Sequence, residues 1–119
     1  MDSKDLINKI KNHPEFHKAG MILCHNGVVR GTSRNGRKVS GLRISVDHQK
    51  LNHVLENRKK MPGIIDIQVK IAENTDLTVG NDVMFLVVAG DIRENVISAM
   101  STALDEIKTS VTRKTEYFV

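Results

Sequence analysis

The spacing of apolar residues along this chain switches between a helical period and strict alternation, and each switch marks an element boundary. Leu6, Ile7 and Ile10 share one helical face behind a capping Asp2 or Ser3, and Pro14 stops this first helix. Met21, Ile22, Leu23, Cys24, Val28 and Val29 predict a strand over 20–29, bulged or bent at Asn26-Gly27. Leu42, Ile44 and Val46 alternate with Arg43 and Ser45, the pattern of a half-exposed strand. Asp47 then caps a helix from His48 to Met61 with Leu51, Val54, Leu55 and Met61 inward, and Pro62-Gly63 ends it. Ile65, Ile67, Val69 and Ile71 alternate with Asp66, Gln68 and Lys70 in a further strand, and 74–81 reads as a turn. The run Val83 to Ala89 is apolar on both faces, which predicts a central buried strand. From Ile92 to Lys108, the residues Ile92, Val96, Ala99, Met100, Ala103, Leu104 and Ile107 fall at helical spacing, with Met100 read as core. Glu116 to Val119 is either a short last strand or a docking tail.

The predicted order is therefore α-β-β-α-β-β-α-β. Strands in pairs, rather than in strict alternation with helices, predict an α+β fold: one two-layer domain over 1–119, a mostly antiparallel sheet with helices packed on one side. A chain of 119 residues holds one modest core and no separate substrate domain. Its 39% apolar and 27% charged residues are an ordinary soluble balance. No segment approaches the roughly 20 apolar residues that span a bilayer. The start of the chain also lacks a basic stretch followed by an apolar run, so a cytoplasmic protein with no membrane attachment is expected.

The formal net charge of +4 favours anionic partners without separating a phosphorylated metabolite from RNA or an acidic protein. Cys24 is the single cysteine and reads as a buried structural thiol; pairing with His25 as a nucleophile is disfavoured because strand neighbours point to opposite faces. The histidines at 13, 17, 25, 48 and 53 form no ligand cluster with cysteine, so neither a metal site nor a bound cofactor is expected. The loop 31–38, with Arg34, Arg37 and Lys38, reads as flexible, basic and solvated, and Arg58, Lys59 and Lys60 complement a helix C-terminus. Nucleic-acid binding by a basic face remains open, but the four aromatic rings do not interleave with the basic residues.

Four cations carry the candidate chemistry. Arg93 follows the central strand in Gly90-Asp91-Ile92-Arg93, Lys108 and Lys114 lie beyond the long helix, and Arg30 closes an earlier strand. They can converge on one phosphate-bearing ligand if the helix folds back on the sheet. The alternative is that the lysines are solvated cations favoured by the helix dipole and that Arg30 is a strand-end surface charge.

Over roughly residues 15 to 117 the chain resembles the large, catalytic subunit of molybdopterin synthase. The landmarks are Gly27-Val28-Val29-Arg30, Gly80-Asn81-Asp82 before Val83 to Val88, Arg93 at the start of the long helix, and Lys108-Thr109 followed by Lys114-Thr115-Glu116, all in the family's order. The chain departs from the family at Ile92, where a histidine is usual, and in Ser110-Val111-Thr112-Arg113, which replaces an alanine-proline-x-tryptophan stretch and is one residue shorter. The resemblance implies transfer of sulfur from the C-terminal thiocarboxylate of a small ubiquitin-like subunit ending in Gly-Gly to a cyclic pyranopterin monophosphate, giving molybdopterin. It implies Lys108 and Lys114 as catalytic residues, Arg30 and Arg93 as substrate-binding residues, and a homodimer that forms a heterotetramer with the small subunit. A divergent relative acting as a noncatalytic binding or assembly module is the other reading of the same scaffold.

Overall fold

The computed structural model describes residues 2–119. The first helix, α1 (Ser3–Lys11), is capped by Asp2, whose carboxylate accepts from the Lys4 amide at 3.0 Å, and it buries Leu6 and Ile10. Strands β1 (Met21–Val28) and β2 (Val39–Val46) follow, and helix α2 (His48–Lys59) starts at Asp47, which accepts from the Lys50 amide at 3.1 Å. Asp47→Ala is expected to destabilise the protein by about 1 kcal/mol, the usual worth of an N-cap, read as a lower denaturation midpoint with unchanged slope. Gly63, at φ +74°, turns the chain into β3 (Ile64–Ile71). Then come β4 (Leu77–Thr78), β5 (Asp82–Gly90), α3 (Arg93–Glu106) and β6 (Thr112–Phe118). The expected element order holds, with β4 added inside the segment read as a turn.

Two three-stranded antiparallel sheets result, ordered β1-β5-β3 and β4-β2-β6. β5 is central, as its doubly apolar run requires, and every residue from Met84 to Gly90 is buried. Met84, Leu86 and Val88 pack with Val96, Ala99, Met100, Ala103 and Ile107 into the main core beneath α2 and α3. Phe85, Val87 and Ala89 form a second core with Leu6 and Ile10 of α1. Helices therefore cover both faces of this sheet, not one: a strand apolar on both sides leaves neither face free for water. Among the described residues no helix is long and apolar enough to cross a membrane.

Three local expectations change. The alternation of β3 breaks at Ile65, where the register against β5 shifts between Ile64 and Asp66, so Ile65 joins the second core while Ile64, Ile67, Val69 and Ile71 face the first. Asp66 is consequently buried, with its carboxylate taking the Ile67 amide at 2.8 Å and the Gln68 amide group at 3.0 Å. Ile92 is not in the buried stripe of the long helix; it precedes α3 and is 53% exposed. Cys24 is exposed rather than buried, because it lies on the edge strand β1 on the α1 side, beyond Ile22, the last β1 residue packed into that core.

The chain end is a strand rather than a tail. β6 pairs with β2 from Val46↔Thr112 to Val39↔Phe118. On its outer side the Tyr117 hydroxyl donates to Asp76 at 2.8 Å and Arg43 meets the same carboxylate at 3.2 Å, contacts that hold the Asp76 carboxyl below its usual range.

Candidate active site

Where the two sheets meet, an open cavity of about 500 Å3 has an apolar floor of Leu42, Ile44, Ile71, Val83, Met84 and Ile107. Around it stand Arg30, Arg34, Lys108, Lys114, Glu116, His25 and Thr32. Four cations against one carboxylate suit an anionic ligand, and the apolar floor beneath them lowers the local dielectric and strengthens that attraction.

Each cation is held by a different local device. Arg30 follows Val29, whose side chain is buried and whose backbone pairs with the Gly80 turn through Val29 N–H to Asn81 at 2.9 Å and Gly80 N–H to Val29 at 2.8 Å. Gly80 at φ +90° permits that turn, and the Arg30 Nε donates to the Thr32 carbonyl at 2.8 Å. Lys108 lies in a widened π-type turn, Ile107–Val111, that continues α3 and is fixed by two buried side chains, Ile107 and Val111. In that turn the Thr109 and Ser110 hydroxyls donate back to the carbonyls of Asp105 and Glu106 at 2.8 and 2.7 Å, capping backbone groups that the wider turn releases. Lys114 is on β6 opposite Ile44, with its Nζ 3.9 Å from the Glu116 carboxylate.

Thr112, Lys114 and Glu116 share the face of β6 that lies over Val46, Ile44 and Leu42. Polar residues on the inward side of a strand make sense here because that side borders the cavity rather than a packed core. The loop 31–38 is likewise more ordered than its composition suggests. Thr32 bridges to Lys38, Ser33 N–H donates to the Arg37 carbonyl at 2.9 Å, and Gly36 turns at φ +87°. Arg34 points to the cavity and Arg37 stacks 3.8 Å over the Phe118 ring, so neither is simply a solvated loop charge.

Arg30, Lys108 and Lys114 are thus brought together, and Arg93 is not. Arg93 and Lys108 lie at opposite ends of one helix, about 20 Å apart at 1.5 Å per residue. The Arg93 side chain is 75% exposed beside Glu94, 3.9 Å away. Asp91 organises that far end, accepting from the Ile92 amide at 2.7 Å and the Asn95 amide group at 2.9 Å. These bonds hold its carboxyl below the usual range, the Asn95 contact most of all.

Two lining residues, His25 and Arg34, were missed as site residues from sequence. Periodicity places His25 on the inward face of β1 with Met21 and Leu23, which was the available signal. Burial pushes its pKa below the usual imidazole value, and the positive charge of Lys108 pushes it the same way. Among the described residues no group of three or more His, Cys, Asp or Glu side chains is placed to hold a metal ion.

A model of the MoaE protein family matches residues 1–110. The chain belongs to the MoaE family. The resemblance read from its motifs to the large subunit of molybdopterin synthase is borne out. No curated protein matches the sequence. Among solved structures, molybdopterin synthase from Staphylococcus aureus is similar at a TM-score of 0.82 and 19% identity, covering 100% of this chain and 86% of that one. The molybdopterin cofactor biosynthesis protein E of Burkholderia multivorans follows at 0.77 and 19%, with 100% and 84% covered. A complex of subunits 1 and 2 of the molybdopterin-converting factor from Helicobacter pylori is similar at 0.70 and 15%, again with 100% and 84% covered. At these identities the likeness is one of fold. This MoaE chain keeps Arg30, Lys108 and Lys114 around one cavity although the stretch between the two lysines is altered and the residue before Arg93 is Ile92.

Proposed function

We propose that this protein is the large subunit of a molybdopterin synthase, working in the cytoplasm, and that it transfers sulfur from a thiocarboxylated small subunit to a cyclic pyranopterin monophosphate. The observation that carries the reading is the convergence of Arg30, Lys108 and Lys114 on one cavity in a chain of the MoaE family. Arg30 supplies a planar donor fork suited to a phosphate, and the lysines supply a nucleophile or proton donor where the substrate carbon loses its oxygen. The open cavity has room for an extended Gly-Gly tail whose thiocarboxylate meets the same cations. A homodimer is part of the proposal, since Arg93 could reach a cavity about 20 Å from its own helix end only on a neighbouring copy. Clustering of the cations in a concave site, rather than along an open face, favours a small anion over nucleic acid.

The test is conversion of the pyranopterin precursor to molybdopterin by purified protein with its thiocarboxylated small subunit. Turnover is expected. Absence of turnover with the cognate partner would leave the noncatalytic binding module in front. Tail binding should also weaken as salt rises, because an anionic terminus approaching several exposed cations is steered by charge. Salt-independent affinity for the small subunit would point to a different docking surface.

A further inference from the structure

Sulfur transfer has a second half that the four cations do not serve. When the thiocarboxylate sulfur attacks the substrate carbon, a C–S bond forms, a C–O bond breaks, and the oxygen leaves as water after taking a proton. The tail is then joined to the substrate through an acyl–sulfur bond. Releasing it requires water to add to the acyl carbon, and that water must lose a proton to a base.

Arginine guanidinium groups carry hydrogen-bond donors and no acceptor, so Arg30 and Arg34 fit anion binding, while Lys108 and Lys114 are taken up by the first half as nucleophile or proton donor. Glu116 is ion-paired with Lys114 at 3.9 Å. The remaining titratable group on the cavity wall is His25. Its ring shares the inward face of β1 with Leu23, and a Cβ on Gly27 would lie 3.4 Å from its Nε2, so the imidazole leans along the strand over Gly27, itself part of the cavity wall. Gly27 leaves that space open.

We infer that His25 is the general base of this second half-reaction, a role that rests on the sulfur-transfer reading. The water O–H bond breaks as the imidazole Nε2–H bond forms, and the water oxygen bonds to the acyl carbon. The acyl C–S bond then breaks with its electron pair kept by sulfur, leaving a thiolate on the product and a carboxylic acid on the tail. The acid ionises, the imidazolium returns its proton to solvent, and no electron donor or acceptor is needed. A base for this step has to be neutral near pH 7, the state that partial burial and the facing Lys108 charge favour in His25. The other charged groups lining the cavity that His25 borders are Lys114 and Glu116 from β6, Arg30 after β1, and Arg34 of the loop 31–38.

The test combines a pH profile with intact-mass spectrometry. Because burial and the Lys108 charge hold the His25 pKa below the usual imidazole value, wild-type turnover is expected to fall as pH drops below that usual range. His25→Gln and His25→Asn, checked for unchanged melting temperature, should lose this acid limb and about 10²-fold or more in turnover. Both variants should accumulate a small-subunit–substrate adduct in a single turnover. Wild-type turnover with no acid limb, or variants that keep both the limb and the rate, would overturn the role of His25 and leave sulfur transfer standing. No turnover in wild type at any pH would overturn the sulfur-transfer reading, and this inference with it.

Discussion

Lys108→Ala is expected to lower molybdopterin formation by about 10²-fold or more while leaving the fold intact. The side chain is exposed at the cavity, and the turn that carries it is held by Ile107, Val111 and the hydroxyls of Thr109 and Ser110, none of which the substitution touches. The loss should fall on kcat more than on KM, since a group that forms a bond or moves a proton acts in the transition state rather than in ground-state binding. Lys108→Arg separates the two uses of the residue. Arginine keeps the positive charge but offers neither a nucleophilic amine nor an easily donated proton, so recovery of activity in Lys108→Arg would show that only anion binding is needed. Full activity in Lys108→Ala would remove this residue from the chemistry altogether. Lys114→Ala is expected to have a smaller effect, because its ammonium already shares charge with Glu116.

The elements that were legible in the sequence are those whose burial is one-sided or complete. β5 was readable as a central strand because seven consecutive residues without a polar side chain cannot border water on either face, and its place between β1 and β3 follows. α2 was readable from its Asp47 cap and Pro62-Gly63 stop. What the same pattern concealed was the site. β6 turns Thr112, Lys114 and Glu116 inward, and a polar inward row looks like a loop until the cavity beneath it is known. His25 is concealed for a related reason: a polar residue within a strand reads as solvent-facing, whereas strand parity assigns His25 to the side of Leu23, opposite Cys24. The expected convergence of Arg93 with Lys108 fails because the straight helix between them, α3, holds the two about 20 Å apart and leaves Arg93 exposed beside Glu94.

The link between packing and chemistry runs through Ile107, and Ile107→Ala should expose it. This side chain is fully buried at the end of α3, packs in the main core, and also forms part of the cavity floor directly before Lys108. Truncation is expected to destabilise the protein by about 2–5 kcal/mol, the usual loss for a buried isoleucine cut to alanine, which is a large share of a typical domain's 5–15 kcal/mol. It also removes the anchor of the π-type turn, so Lys108 should sample positions off its working geometry and activity per folded molecule should fall. Ile10→Ala is the matched control. Ile10 is equally buried, but in the second core beneath α1, on the other face of the sheet from Lys108. Denaturant titration should report a comparable stability loss for the two variants, while turnover normalised to the folded fraction should drop only in Ile107→Ala. Equal normalised activity in both would mean that the turn holds Lys108 without its buried anchor, and that the hydroxyl bonds of Thr109 and Ser110 suffice.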